Sequence, residues 1–344
     1  MAPRIALGLP VYNGERFLRE AIDSILCQTY TDFELIICDN ASTDRTPAIC
    51  LEYQSRDSRV RYVRNDTNIG PAANFNRTFH LAHGEYFKWV AADDVCEPDF
   101  LRVCVAALDA DPGAAMAFTG TRIIDDRGDT VGHDTYVLST DSSTPQARFR
   151  ALLLANHRRH GAFEAFGLYR ASMLGDTPLF ECYCRGDSVL FARVALRGRF
   201  IRLGRELFLN RDHRGRSERV KPSRIACGSF FARWLGSGPT PPAEWWDASK
   251  RGRVVFPEWN LAWKYLRSIG AAPLTLRQRT ACYGWWIYFT LRTSHKLARD
   301  LVLAIEHPVF LFFQYVRSPE QTEHHRVATS ARSLASIINW RKAR

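Results

Sequence analysis

The sequence predicts an α/β chain built on a doubly wound, mostly parallel sheet flanked by helices and followed by a mainly helical C-terminal extension. Three observations predict it. Short apolar runs alternate with segments of helical periodicity through the first ninety residues. Polar or turn-forming clusters follow several of those runs, and the charge balance changes abruptly in the last quarter of the chain. With 344 residues, 46% apolar and 24% charged, the chain suits one large α/β domain or two domains, and leaves little room for disorder.

The elements follow in order. Ile5–Leu9 is an apolar run ended by Pro10 and reads as a buried strand. Phe17/Leu18, Ala21/Ile22 and Ile25/Leu26 recur at helical spacing and give one apolar face. Phe33–Cys38 is a second buried strand, stopped by Asp39-Asn40-Ala41-Ser42-Thr43-Asp44. A short helix to about Tyr53 precedes a strand at Val60–Val63. Pro71 opens a helix running to His83, where its missing N–H costs little, and Gly84 separates that helix from a strand at Tyr86–Val90.

In such sheets ligands sit beyond the carboxyl ends of the strands. There the sequence places Pro10-Val11-Tyr12-Asn13, Asp39-Asn40 and Ala91-Ala92-Asp93-Asp94. No Gly-x-Gly-x-x-Gly follows the first strand and no Gly-x-x-x-x-Gly-Lys-Ser/Thr occurs, so dinucleotide and P-loop sites lack their phosphate cradle. Carboxylates at strand ends suit a hard divalent cation that itself holds phosphates. The nine cysteines are scattered, form no Cys-x-x-Cys pair and in part sit in apolar runs, as Cys38 and Cys104 do. That pattern argues against zinc and disulfide frameworks and for a reducing cytoplasm.

Four segments together, Pro10–Asn13, Ile37–Asp44, Asn68–Asn76 and Gly84–Tyr86 with Ala92-Asp93-Asp94, resemble the family 2 glycosyltransferases. The similarity is strong over residues 4–125. It continues through Gly186–Arg193 and Arg211-Asp212-His213 to about Ser217. It implies a GT-A-type fold and an inverting transfer from a nucleotide sugar, with a lean to uridine or thymidine diphosphate. The implied glycosyltransferase domain spans 1–225, a nucleotide-sugar half at 1–125 and an acceptor half at 126–225, with a helical, basic, aromatic-rich region at 226–344.

The resemblance also implies residue roles, and each has a plainer structural alternative. Asp93, with Asp94, would hold Mn²⁺ or Mg²⁺ on the donor diphosphate, where a cation neutralises the leaving group; Asp94 equally suits a helix N-cap. His213 would complete the metal site or meet the diphosphate, or belong to a basic loop. Asp39 would contact the nucleotide base, with Pro10 and Tyr12 lining the same pocket, or start an Asx-turn. Asn68 and Asn76 fall at positions near the nucleotide, yet Asn is a routine turn and cap residue. Asp187 would be the base that deprotonates the acceptor hydroxyl, or the N-cap of the helix at Val189–Leu196. Two departures stand out: Ala91-Ala92 where many relatives add an acid, and Gly186 where an acid usually precedes the base. The cluster His157-Arg158-Arg159-His160 reads as a solvated loop, with contact to an anionic acceptor as the alternative.

Residues 1–250 hold 32 Lys and Arg against 31 Asp and Glu, whereas residues 251–344 hold 15 against 5. Arg292, Lys296 and Arg299, at i, i+4 and i+7, form one helical face following Trp285, Trp286 and Phe289. That pattern suits either docking on an anionic membrane surface or packing on the catalytic domain. The expected partners are a nucleotide-sugar donor, a saccharide or lipid-linked acceptor and an anionic membrane; no nucleic-acid motif occurs. The expected location is cytoplasmic, peripheral on the inner face of the plasma membrane. A catalytically degenerate nucleotide-sugar or anionic-ligand binding protein on the same scaffold is the alternative.

Overall fold

A computed structural model of the chain describes residues 3–157, 159–213, 215, 250 and 255–317, with side chains through residue 305. The expected domain boundary at 225/226 lies outside the described residues, as do Arg158 and Arg214. The elements are β1 (Ile5–Val11), α1 (Leu18–Leu26), β2 (Phe33–Asp39), α2 (Thr46–Arg56), β3 (Val60–Arg64), α3 (Pro71–His80), β4 (Tyr86–Trp89), β5 (Val95–Cys96), α4 (Phe100–Ala110), β6 (Ala114–Ile124) and β7 (Thr130–His133). Then come α5 (Pro145–Leu153), a 3₁₀ turn (Phe163–Phe166), β8 (Leu168–Arg170), α6 (Ala171–Gly175), α7 (Gly186–Ala195), β9 (Arg199–Arg211), α8 (Pro257–Ala271), α9 (Leu276–Arg292) and α10 (Ser294–Arg317).

The strands form one mixed, mostly parallel sheet in the order β3-β2-β1-β4-β8-β6-β9-β5, with β7 paired to β6. β1 alternates its side chains between two cores. Leu7 and Leu9 join Leu18, Ile22 and Ile25 of α1 on one face, while Ala6 joins Phe87 and Trp89 on the other. Each of the three buried α1 residues contributes about 1.5–3 kcal/mol, so α1 is held by its apolar stripe. Gly8 is where α3 crosses closest: a Cβ there would lie 2.3 Å from Thr78 Oγ1.

Boundaries shift for local reasons. β1 continues through Pro10 because its ladder with β4 stops at Gly8↔Trp89, leaving only the β2 side to pair at Pro10. The short β8 runs antiparallel to both β4 and β6, which sequence alternation did not predict. α3 ends at His80 rather than His83, where the Leu81 N–H donates to the Arg77 carbonyl and the Ala82 N–H to the Phe79 carbonyl.

A third core joins α5 and α7 to the C-terminal helices through Phe149, Val189, Leu261, Tyr265 and Phe289. This corrects the expected basic face. The helical register breaks at Thr293, the C-cap of α9, so Arg292 and the pair Lys296/Arg299 lie on different helices. Arg299 is buried, within 3.2 Å of Asp300 and 3.7 Å of Glu258. Phe289 is buried, Trp286 donates to the Ala262 carbonyl at 2.7 Å, and Arg150 lies over the Trp285 ring at 4.5 Å. For these residues packing is the realised alternative. Among the described residues no helix is long and apolar enough to cross a membrane.

Candidate active site

The ends of β1 and β2 are level, with Val11 beside Asp39. Two non-glycine residues in left-handed backbone, Asn13 (φ 51°) and Ala41 (φ 62°), turn the following loops toward each other. Asn13 N–H donates to Ser42 Oγ at 2.9 Å and Asn13 Oδ1 accepts from Thr43 N–H at 2.8 Å. Asp39 has no exposed surface; its Oδ1 accepts from Ser42 N–H at 2.8 Å and its Oδ2 from the Tyr62 hydroxyl at 2.9 Å. The turn-forming role of Asp39 is therefore realised. Arg64, about half exposed, stands 3.6 Å from the same Oδ2. Pro10 is buried within β1, while the Tyr12 ring is half exposed at the loop.

The two asparagines expected near the nucleotide both make hydrogen bonds within the chain. Asn68 Oδ1 accepts from Asn40 Nδ2 and from Gly70 N–H, both at 2.9 Å, closing the loop before α3. Asn76 clamps a distant segment at two points: its Nδ2 donates to the Phe180 carbonyl at 2.8 Å and its Oδ1 accepts from Phe180 N–H at 3.0 Å. With both ends of its amide engaged, Asn76 joins α3 to the approach to α7. A buried amide ladder that spacing alone did not flag supports this corner. Asn65 Nδ2 donates to both Asn40 Oδ1 and Asn74 Oδ1, and Asn74 Nδ2 donates to the Cys38 carbonyl.

The pair after β4 divides. Asp94 is buried and turned toward β9, where it accepts from Asn210 Nδ2 at 3.1 Å and from Arg211 N–H at 2.8 Å. It is neither an N-cap, since α4 is preceded by Asp99, nor a cleft ligand; the expected metal role of Asp94 is corrected on this geometry. Asp93 remains part-exposed, and its Oδ2 lies 2.9 Å from His213 Nε2. His213 sits against the Phe17 ring at 5.0 Å, and Arg211 lies over that ring at 4.7 Å while its Nε donates to the Asp93 carbonyl. Among the described residues no three His, Cys, Asp or Glu side chains form a metal cage. One carboxylate with one imidazole is nonetheless a donor set that fits a Mn²⁺ or Mg²⁺ ion whose other ligands are diphosphate oxygens and water.

Asp187 lies in the first turn of α7, two residues past the N-cap position, which Arg185 occupies at φ 63°. Its Oδ1 accepts from the N–H of Ser188 at 2.7 Å. Burial pushes its carboxyl above the usual range, opposed by that hydrogen bond and by the charges of His160 and Arg185. The absence of an acid at position 186 has a steric cause: a Cβ there would meet the Glu181 carbonyl oxygen at 2.7 Å. The loop expected to be solvated is partly interior. His160 is 7% exposed and paired with Glu164 at 2.8 Å; burial disfavours its charged ring, yet Glu164 holds the pKa above the ordinary value. Burial and the charges of Arg185, His160 and Lys296 push His157 down to about 4. His160 precedes the 3₁₀ turn that carries Glu164, so no helical spacing in the sequence signals their pairing. Trp89, at the end of β4, packs against Tyr169 (5.6 Å) and Phe180 (4.8 Å), tying the Asp93 strand to the approach to α7.

Residues 7–177 match the family model described as "Glycosyl transferase family 2". The chain belongs to that family. Among its relatives, the putative glycosyltransferase EpsE of Bacillus subtilis (strain 168) is 37% identical over 127 residues, or 37% of this chain and 46% of EpsE. The chondroitin synthase of Escherichia coli is 32% identical over 131 residues, covering 38% of this chain and 19% of the synthase. The matches thus span less than half of either relative's own length. In fold, the chain is similar to S. aureus TarS residues 1–349 in complex with UDP-GlcNAc, with a TM-score of 0.54 at 16% identity, over 89% of this chain and 91% of that one. That similarity extends to most of the chain and accords with the family 2 fold class, helical C-terminal region included.

Proposed function

We propose that the chain is a cation-dependent, inverting glycosyltransferase that moves a sugar from a nucleotide-diphosphate donor, a uridine or thymidine nucleotide fitting best, to a hydroxyl of a saccharide or lipid-linked acceptor. One observation carries the reading: a part-exposed Asp93 paired with His213 at the end of β4, on a sheet that also supports a carboxylate of raised pKa at Asp187. Asp93 and His213 would hold Mn²⁺ or Mg²⁺, which supplies charge neutralisation on the departing diphosphate. Tyr12 would offer its exposed ring to the base, while Asp39, buried and bonded to Ser42 and Tyr62, shapes the neighbouring loop. Asp187 accepts the proton of the acceptor hydroxyl as that oxygen attacks the anomeric carbon; its raised pKa keeps it a stronger base than a solvated Asp.

The C-terminal helices fit an anionic membrane surface through residues other than those expected from sequence. Trp259 and Trp263 of α8 and Leu301 and Ile305 of α10 are exposed pairs one turn apart, and Trp259 Nε1 donates to the Leu297 carbonyl, which makes the two helices neighbours. The excess of 15 basic over 5 acidic residues in 251–344 supplies the complementary charge. Sedimentation with anionic but not neutral vesicles, reversed by salt, is expected; absence of sedimentation with either at low salt would remove the membrane from the reading.

The deciding experiment incubates the protein with a panel of nucleotide sugars and candidate acceptors, with Mn²⁺ or with chelator, and follows nucleotide diphosphate release. Release that needs both cation and acceptor supports the enzyme. Tight donor binding without release supports the degenerate binding protein.

A further inference from the structure

The segment bearing Asp187 is fastened from outside the sheet. Glu181 pairs with Arg193 of α7 at 2.6 Å and with Lys264 of α8. Arg185 pairs with Glu258 at the start of α8, and Arg193 Nε donates to Ser268 Oγ at 3.2 Å. Glu258, Lys264 and Ser268 all belong to α8, so one helix grips residues 181–193 at several points. Glu258 is itself held: it is 5% exposed, its backbone N–H donates to Asp300 Oδ2 at 2.7 Å, and Arg299 lies 3.7 Å from its carboxylate. Arg185 adopts left-handed backbone, which a long side chain takes at a cost and keeps only where its surroundings hold it. The next residue cannot carry a side chain without striking the Glu181 carbonyl. The turn before Asp187 is therefore strained, tightly packed and tied through Arg185 to a helix more than seventy residues later in the chain.

We infer that α8 is a splint for the catalytic turn, and that Glu258, acting through Arg185, is a positioning residue for the Asp187 carboxylate. The inference rests on the reading of Asp187 as the base. His160 from the loop after α5, Tyr169 from β8, Cys184 and Arg185 from its own segment and Tyr265 from α8 are the ionisable groups whose charges bear on Asp187. Glu258 neutralises Arg185, the cation two residues from the base. Without that partner the cation stabilises the Asp187 carboxylate and weakens it as a base. Without the cation, the carboxylate is destabilised.

The test uses the full chain and the variants Glu258→Gln, Glu258→Asp, Arg185→Gly and Asp187→Asn, each checked for native circular dichroism. Glu258→Gln is expected to lower kcat at least ten-fold, to leave donor KM and nucleotide affinity within two-fold, and to move the acid limb of the kcat–pH profile downward. Glu258→Asp, which keeps the charge, restores most of the rate. Arg185→Gly accepts the left-handed backbone but cannot pair; it also lowers kcat, and moves the acid limb upward. A purely structural tie would move neither limb. A folded Glu258→Gln with wild-type kcat and pH profile overturns the inference, and if that variant does not fold, Arg185→Gly decides on the same readouts. Loss of rate in Asp187→Asn alone refutes the splint and leaves the base in place. Full rate in Asp187→Asn refutes the base, and the inference with it.

Discussion

His213 Nε2 lies 2.9 Å from Asp93 Oδ2, joining the residues after β9 to those after β4 across 120 residues of sequence. On the proposed reading this carboxylate and imidazole would hold one cation between them. With Mn²⁺ present, a nucleotide diphosphate at a hundred times its Kd is expected to stabilise the protein by about 2.7 kcal/mol. Asp93→Asn should lose that thermal shift while keeping its ligand-free melting temperature, and His213→Ala should demand more Mn²⁺ for the same shift. An undiminished shift in Asp93→Asn under chelator would contradict the assignment.

Asp187→Asn keeps the side chain's shape and removes its basicity. The expected loss in kcat is roughly 10²–10⁴-fold, with nucleotide affinity unchanged. The pH dependence follows from the raised carboxyl. Activity requires the ionised form, so the rate should fall as pH drops through a value above that of a solvated Asp. Stability runs the other way: a carboxyl raised on folding adds stability only in its protonated form, and that contribution fades as pH rises through the raised pKa. At neutral pH the asparagine variant should therefore melt no lower than the wild type, which a calorimetric scan measures.

Asn76→Ala separates a staple from a ligand contact. It leaves the Phe180 N–H and carbonyl without their partner and should cost about 1–3 kcal/mol in denaturant unfolding. Nucleotide affinity per folded molecule should stay within two-fold. A selective loss of nucleotide binding at wild-type stability would return Asn76 to the donor pocket.

Arg299 and Arg292 look alike in sequence and should behave differently. Removing Arg299, by Arg299→Leu, takes a cation from between buried Asp300 and Glu258, leaving Glu258 with Arg185, and should destabilise by about 3 kcal/mol. Arg292→Glu, at an exposed helix end, should change stability by about 0.5 kcal/mol or less. Equal effects from the two would mean that the break at Thr293 does not separate their environments.

The strands and helices of the first ninety residues were legible because each is a buried run or a clean amphipathic stripe, signals that depend on a few neighbours. Asp93 and Asp187 were legible as functional candidates through family resemblance. What sequence could not supply was the direction of side chains whose partners lie far along the chain. Asp93 and Asp94 are adjacent, yet one meets His213 and the other Asn210, a choice made by β9 and the residues after it. Asn76 resembled a ligand position, and only the approach of Phe180 shows otherwise. The aligned basic face failed for a local reason: Thr293 ends one helix and Ser294 begins another, with no Gly or Pro to mark the change.

The pairing of β5 with β9 has a consequence for synthesis. β3, β2, β1 and β4 emerge within the first ninety residues and can associate as the chain leaves the ribosome, whereas Val95 and Cys96 pair with Leu209 and Phe208. Asp94 likewise waits for Arg211, 117 residues later. At ~5–20 residues per second of translation that interval is roughly 6–23 s. Throughout it the nascent chain carries a nearly complete nucleotide-side sheet whose acidic turn is unfastened, and His213 has not yet been made. The fastening of Asp94 and the contact of Asp93 with His213 are thus late events in the birth of the molecule, timed by the arrival of a single strand.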